Sequence, residues 1–71
     1  MKLRHEFPDN KVRRGIRWLE VVEGDGGAFV FQYGDINSPC KWDSFFANID
    51  QALSACEEDF GVSRSEWHEV V

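Results

Sequence analysis

One stretch of the sequence repeats its apolar residues with the period of an α-helix, and this stripe constrains the fold more than any other feature. The apolar side chains recur at intervals of three and four, namely Ile49, Ala52, Leu53, Cys56 and Phe60. These positions form one continuous face of a helix, and mostly polar residues occupy the positions between them. A lone amphipathic helix must bury that face, so we expect strands to supply the surface that covers it.

The sequence also marks the ends of this helix. Asn48 is a favourable N-cap residue, and Gln51 lies three positions further on, as in a capping box. Gly61 suits the left-handed position that follows a helix, and Val62 can then close a Schellman-type end. The pattern predicts a helix from Ile49 to Phe60 with an acidic outer face.

Most of the remaining chain has the composition of β-strands. Gly24-Asp25-Gly26-Gly27 can adopt the backbone angles of a tight turn, which predicts a hairpin between residues 12–23 and 28–33. Adjacent apolar pairs in the first hairpin strand indicate either a bulge near Trp18 to Glu20 or burial on both faces. Shorter strands are predicted within residues 3–7, 41–46 and 66–71.

The order of these elements predicts an α+β fold. We expect a mostly antiparallel β-sheet of about three to five strands, centred on the hairpin and packed on one amphipathic helix, in the order β-β-β-(β)-α-β. A chain of 71 residues is too short for two independent cores, so residues 1–71 are expected to form a single domain.

The second hairpin strand alternates between two apolar faces. Phe29, Phe31 and Tyr33 project to one face, and Val30 projects to the other. Because aromatic side chains bury the larger area, we expect the aromatic face to form the core. Val21 and Val30 would then add apolar surface that one helix cannot cover, which favours a partner on the hairpin.

Charge is divided unevenly along the chain. Residues 1–17 carry six cationic side chains against two acids, whereas residues 18–71 carry two against eleven. The basic segment can bind an anionic partner, or the acidic remainder of the domain can neutralise it. The net charge of −5 favours internal neutralisation, because dedicated nucleic-acid-binding domains are usually basic.

Residues that could support catalysis are dispersed. Cys40, Cys56, His5 and His68 lack the short spacings by which one turn presents two zinc ligands. Cys56 lies on the apolar stripe, where a free thiol packs as a small apolar residue. Cys40 is followed by Lys41, which could activate the thiol, but no orienting group or oxyanion-hole signature accompanies it. We therefore expect neither an enzyme nor a bound cofactor or metal.

Localisation signals are weak. No segment approaches the roughly 18 to 20 apolar residues that span a bilayer, and the first residues lack the apolar core of a signal peptide. Two cysteines do not make a disulfide framework. We expect a cytoplasmic protein with reduced thiols and no membrane contact.

The segment from Trp42 to Val62, followed by Trp67, resembles the C-terminal half of small uncharacterised bacterial proteins. In those proteins an aromatic strand leads to an acidic helix that ends in Phe-Gly-Val. The resemblance implies a bacterial origin and the same strand-helix order, and it carries no activity. The layout is also similar to that of HicB-type antitoxins, but their Pro-Asp-x-x-Gly-Cys-like element is absent before this helix.

These features favour a non-enzymatic protein-interaction module whose partner is a second copy or another protein. The candidate binding surface comprises Arg13, Arg14, Arg17, Val21 and Val30. The alternative is a nucleic-acid-binding protein, in which the three arginines hold phosphates and aromatic side chains stack on bases. The aromatic residues of that alternative are Phe29, Phe31, Tyr33 and Trp18.

Overall fold

The protein folds as a five-stranded antiparallel sheet packed against one helix. The computed structural model describes residues 1–71. Its elements are β1 (Lys2–Glu6), β2 (Trp18–Gly24), β3 (Gly27–Tyr33), β4 (Trp42–Phe46), α1 (Ile49–Phe60) and β5 (His68–Glu69), with short 3-10 turns at Asp9–Lys11 and Arg64–Glu66. The strands lie in the order β4-β3-β2-β1-β5. The predicted α+β class, with a mostly antiparallel sheet on one helix, is confirmed.

The β2–β3 hairpin turns at Asp25 and Gly26, where the predicted glycine-rich connection lies. Gly24 pairs with Gly27, and Gly26 has a φ of 86°. A Cβ atom on Gly27 would lie 2.5 Å from the carbonyl oxygen of Phe46 and would overlap the ring of Phe45. Gly27 therefore allows β4 to approach the hairpin and lets an aromatic ring lie over its backbone.

We expect Gly27→Ala to lower the free energy of unfolding by about 1–3 kcal/mol, because the added methyl group forces β4 away from β3. Gly24→Ala is the matched control on the other side of the same turn, since a Cβ atom added there would meet no neighbouring atom within 4 Å. It should change stability by less than about 0.5 kcal/mol. Urea unfolding followed by tryptophan fluorescence measures both values. Equal losses for the two variants would show that the approach of β4 does not depend on Gly27.

The core lies between α1 and one face of the sheet. The sheet contributes Leu19, Val21, Ala28 and Val30, the helix contributes Ala52, Leu53 and Cys56, and the connecting segments contribute Phe7, Ile16 and Val62. The hairpin strands pair residue by residue without a bulge. The predicted bulge is therefore absent, and the adjacent apolar pairs of β2 place Leu19 and Val21 against α1 and leave Trp18 and Val22 half-buried on the opposite face.

The face that packs on the helix is the opposite of the one expected. Phe29 is exposed and Phe31 is only half-buried, so the prediction that the aromatic face forms the core is wrong. The strand register gives the reason. Phe31 pairs with Glu20, and Glu20 pairs with Arg4, so the aromatic face also carries an acid and a base. Packing a helix on these charges would remove them from water at high cost, whereas the centre of the other face is entirely apolar.

The helix ends where the sequence predicts. The side chain of Asn48 accepts a hydrogen bond from the backbone N–H of Gln51 at 2.9 Å. Gly61 adopts a φ of 72° and donates to the carbonyl of Glu57, while the buried Val62 closes the end through the carbonyl of Cys56. These caps fix the length of α1 to that of the apolar stripe.

Candidate binding surface

The helix covers one face of the sheet, and the other face, here called the open face, is covered by no other element. Strand alternation and register place twelve side chains on it. They are Lys2, Arg4 and Glu6 from β1, Trp18, Glu20 and Val22 from β2, Phe29, Phe31 and Tyr33 from β3, Asp43 and Phe45 from β4, and His68 from β5.

Aromatic side chains dominate the β3–β4 half of the open face. Phe29 stacks on Phe31 with 5.9 Å between ring centroids and meets the ring of Phe45 edge-on at 5.0 Å. Phe29 remains 43% exposed and Phe45 58% exposed. Val22 lies beside Phe29 on β2 and extends the apolar area. A contiguous exposed patch of this kind typically marks an interaction site.

An ion-paired cluster occupies the β1–β2 half. Glu20 is only 5% exposed, and its Oε2 accepts from Nε and Nη2 of Arg4 at 3.1 and 2.8 Å. The Nζ of Lys2 lies 3.9 Å from the other carboxylate oxygen. The guanidinium of Arg4 also lies 6.0 Å from the ring centroid of Trp18, within reach of a cation–π contact. The two cations of β1 thus compensate a nearly buried carboxylate.

Tyr33 of β3 is subject to the charges of this cluster. Burial raises the pKa of Tyr33 above its ordinary value of 10, and the negative charges of Glu20 and Cys40 raise it further, while Arg4 lowers it. The phenol hydroxyl is therefore a hydrogen-bond donor throughout the physiological pH range.

The single tyrosine makes this shift measurable. We expect absorbance titration of the folded protein to give a tyrosine pKa above 10, and the protein unfolded in urea to titrate at the ordinary value of about 10. Because the unfolded state loses this proton first, the stabilising contribution is complete below pH ~10 and declines at higher pH. Glu20→Gln should bring the folded pKa part of the way down, since burial remains. An unchanged folded pKa in that variant would exclude Glu20 as a cause.

Two residues of the sequence-predicted surface do not lie on the surface. Val21 is 0% exposed and Val30 is 3% exposed, both between the sheet and α1. Their assignment to a binding surface is wrong, because their strand positions face the helix and the aromatic positions face outward. The turn register could have shown this, since pairing Gly24 with Gly27 places Val21 beside Val30 and Glu20 beside Phe31.

The three arginines of the predicted surface lie away from the aromatic patch. Arg13 and Arg14 are exposed and line an open cavity of about 400 Å³ together with Asp59 and Phe60 of the helix. Arg17 is ion-paired, with its Nη1 at 2.6 Å from Oδ1 of Asp9. The structure thus does not bring the arginines and the aromatic residues together on one face.

A small hairpin turn positions the first two of these arginines. Arg13 bridges to Ile16, with Arg14 at a φ of 54° and Gly15 at a φ of 74°. Positive φ at both central residues is typical of a type I′ turn. The strand predicted from residue 12 therefore begins only at Trp18, and the glycine at position 15 was the signal for this turn.

Cys56 and His5, two of the side chains that could support catalysis, are buried within the fold. Burial raises the pKa of Cys56 to about 12, with Asp59 adding to the shift, so the thiol stays protonated. His5 is buried with its ring edge-on to Phe7 at 4.9 Å, and its Nδ1 lies 3.2 Å from the carbonyl oxygen of Glu66. No three His, Cys, Asp or Glu side chains are grouped so that they could hold a metal ion.

Comparisons with protein-family models, curated proteins and solved structures found no match for this chain. The resemblance of residues 42–62 to small bacterial proteins therefore stays a prediction. None of the helices is both long and apolar enough to cross a bilayer. Function is consequently inferred from the geometry and chemistry of the open face.

Proposed function

We propose that this domain is a non-enzymatic protein-interaction module that binds its partner through the open face of the sheet. The observation that carries the proposal is the joint exposure of Phe29 and Phe45, at 43% and 58%, in one aromatic patch. Burying apolar area contributes about 25 cal/mol per Å², and aromatic residues are the typical anchors of protein interfaces. A partner that covers the patch gains this free energy at little cost in ordering, because the rings already lie on a rigid sheet.

The charges of the open face favour a protein over a nucleic acid. Its cations, Lys2 and Arg4, both lie against Glu20, and Glu6 and Asp43 add further negative charge. Nucleic-acid affinity depends on unpaired cations that displace counterions from phosphates. The remaining arginines of the basic segment lie on the helix side or in an ion pair, so stacking residues and phosphate-binding residues are separated.

The environments of the reactive groups support a binding role. A thiol with a pKa near 12 is a poor nucleophile at neutral pH, and the ring of His5 is buried with edge contacts to Phe7 and Trp67. Cys40 is partly exposed and has no hydrogen-bonded base among the side-chain contacts of the structure. The open face presents rigid rings and ion pairs, which suit recognition.

The test is affinity capture with matched variants. Immobilised wild-type protein is exposed to a lysate of its native host and, separately, to a purified untagged copy of itself. Phe29→Ser and Phe45→Ser remove rings from the open face, whereas Trp42→Ser removes a 54%-exposed ring that projects to the helix side of β4. We expect at least one protein to be retained by wild type and Trp42→Ser and to be lost, by about tenfold or more, from both phenylalanine variants. Capture that is equal for all four proteins would contradict the proposal.

Fluorescence anisotropy with labelled single-stranded DNA and RNA tests the nucleic-acid alternative. We expect that neither added salt nor the loss of Phe29 changes the anisotropy, because the open face does not bind these oligonucleotides. Binding that weakens steeply between low and physiological salt, and that Phe29→Ser abolishes, would replace the protein-interaction proposal with the nucleic-acid one.

A further inference from the structure

We infer that the partner of the open face is a second copy of this chain, packed face to face about a two-fold axis that runs parallel to the strands. This inference rests on the proposed function, since it names the occupant of the same surface. The order in which the strand register arranges charged and apolar side chains on the open face makes that face complementary to itself.

The register divides the open face into three rows that run across the strands. The first row reads Phe45, Phe29, Val22, Lys2; the second reads Asp43, Phe31, Glu20, Arg4, His68; the third reads Tyr33, Trp18, Glu6. The first and third rows end at β1, and the second continues to the two-residue strand β5. The second row is the decisive one, because it has an acid on β4 and a base on β1.

A face-to-face dimer can place its two-fold axis along the strands or across them. An axis across the strands lays the second row on itself, so that Arg4 faces the partner's Arg4 and Asp43 faces the partner's Asp43. An axis along the strands that passes between β2 and β3 lays β4 over the partner's β1, so that Asp43 faces the partner's Arg4 and the short β5 lies outside the overlap. Like charges in contact are destabilising and opposite charges are stabilising, so the chemistry of the row selects the axis along the strands.

The side chains of Asp43 and Arg4 are free to make this contact. Asp43 is exposed and takes part in none of the ion pairs within the chain. Arg4 uses Nε and Nη2 for Glu20, which leaves Nη1 without an acceptor. Because a two-fold axis repeats every contact, the dimer gains two such ion pairs, one at each side.

The same arrangement brings apolar side chains of the two copies together on either side of the second row, while Phe45 faces the partner's Lys2. Phe29 faces the partner's Val22, and Tyr33 faces the partner's Trp18. Glu20 faces the partner's Phe31, and its burial leaves no unpaired charge because Arg4 already holds it. Apolar contacts with ion pairs at the rim are usual in a specific interface, and here the compensated Glu20 lies among the apolar contacts.

The size of the patch sets the expected affinity. Four strands about 4.8 Å apart, with five residues at about 3.4 Å each, span roughly 19 by 17 Å. That projected area is smaller than the accessible area of about 800 Å² per partner that standard interfaces bury. We therefore expect a reversible dimer with a dissociation constant of roughly 1–100 µM.

Sedimentation equilibrium from about 1 µM to about 500 µM tests the dimer, a range chosen to bracket the expected dissociation constant. Wild type should change from monomer to dimer across this range. Phe29→Ser should raise the dissociation constant about tenfold or more, and Asp43→Asn about fivefold. Glu57→Lys, on the outer face of the helix, and Trp42→Ser are the controls and should leave it unchanged. Circular dichroism melting first verifies that each variant is folded.

Mixing two charge variants tests the pairing itself. Asp43→Lys and Arg4→Glu each place like charges opposite one another in their own homodimers, whereas their mixture restores two opposite-charge pairs. We expect the mixture to form heterodimer at concentrations where each variant alone is monomeric. If Arg4→Glu does not fold beside Glu20, the Asp43→Asn result decides, because that change weakens a dimer with its axis along the strands and strengthens one with its axis across them.

The inference is overturned if wild type stays monomeric over the whole range, if Phe29→Ser dimerises as wild type does, or if Asp43→Asn strengthens the dimer. A monomeric wild type that still captures another protein through Phe29 and Phe45 would overturn the homodimer and leave the proposed function standing. A wild type that neither dimerises nor captures another protein through Phe29 and Phe45 would contradict the proposed function as well.

Discussion

The packing of α1 on Leu19, Val21 and Val30 is the constraint on which the rest of the structure depends. A single helix of twelve residues can cover only one face of a five-stranded sheet. The helix takes the face whose centre is entirely apolar, and Ala28 and Ala52 keep the two layers close because both are small and fully buried. Every strand residue whose side chain points away from α1 then lies on the open face, whatever its own hydrophobicity.

On the open face, most of the charged residues cluster on β1 and β2, and most of the aromatic residues lie on β3 and β4. Glu20 loses nearly all contact with water at the centre of the sheet, where an unpaired carboxylate would be strongly destabilising. Arg4 and Lys2 compensate it from the neighbouring strand, so two cations of the basic N-terminal segment are used within the fold. Arg17 is also ion-paired within the chain, with the exposed Asp9. The uneven distribution of charge along the chain therefore does not produce a correspondingly basic surface beside the aromatic residues.

The aromatic residues of the open face remain more exposed to solvent than Glu20 does. Phe29, Phe31 and Phe45 cover one another in part, and the ring of Phe45 also lies over the backbone of Gly27. These contacts order the rings before any partner arrives, which lowers the conformational entropy that binding must overcome. A partly exposed aromatic patch beside a satisfied ion pair is a surface that the proposed protein partner would cover without leaving a buried charge unpaired.

The sequence by itself determined the helix and the hairpin turn of this protein, because their signals are local. Helical periodicity, the caps at Asn48 and Gly61, and the glycine-rich turn each depend on residues a few positions apart, and the structure reproduces all of them. Only the tertiary structure decided which face of the hairpin is buried. Alternation separates Phe29 from Val30 but does not say which one meets the helix. That choice depends on residues paired across strands. Glu20 and Arg4 share the face of the aromatic residues, so the face of Leu19, Val21, Ala28 and Val30 costs less to bury although its side chains are smaller.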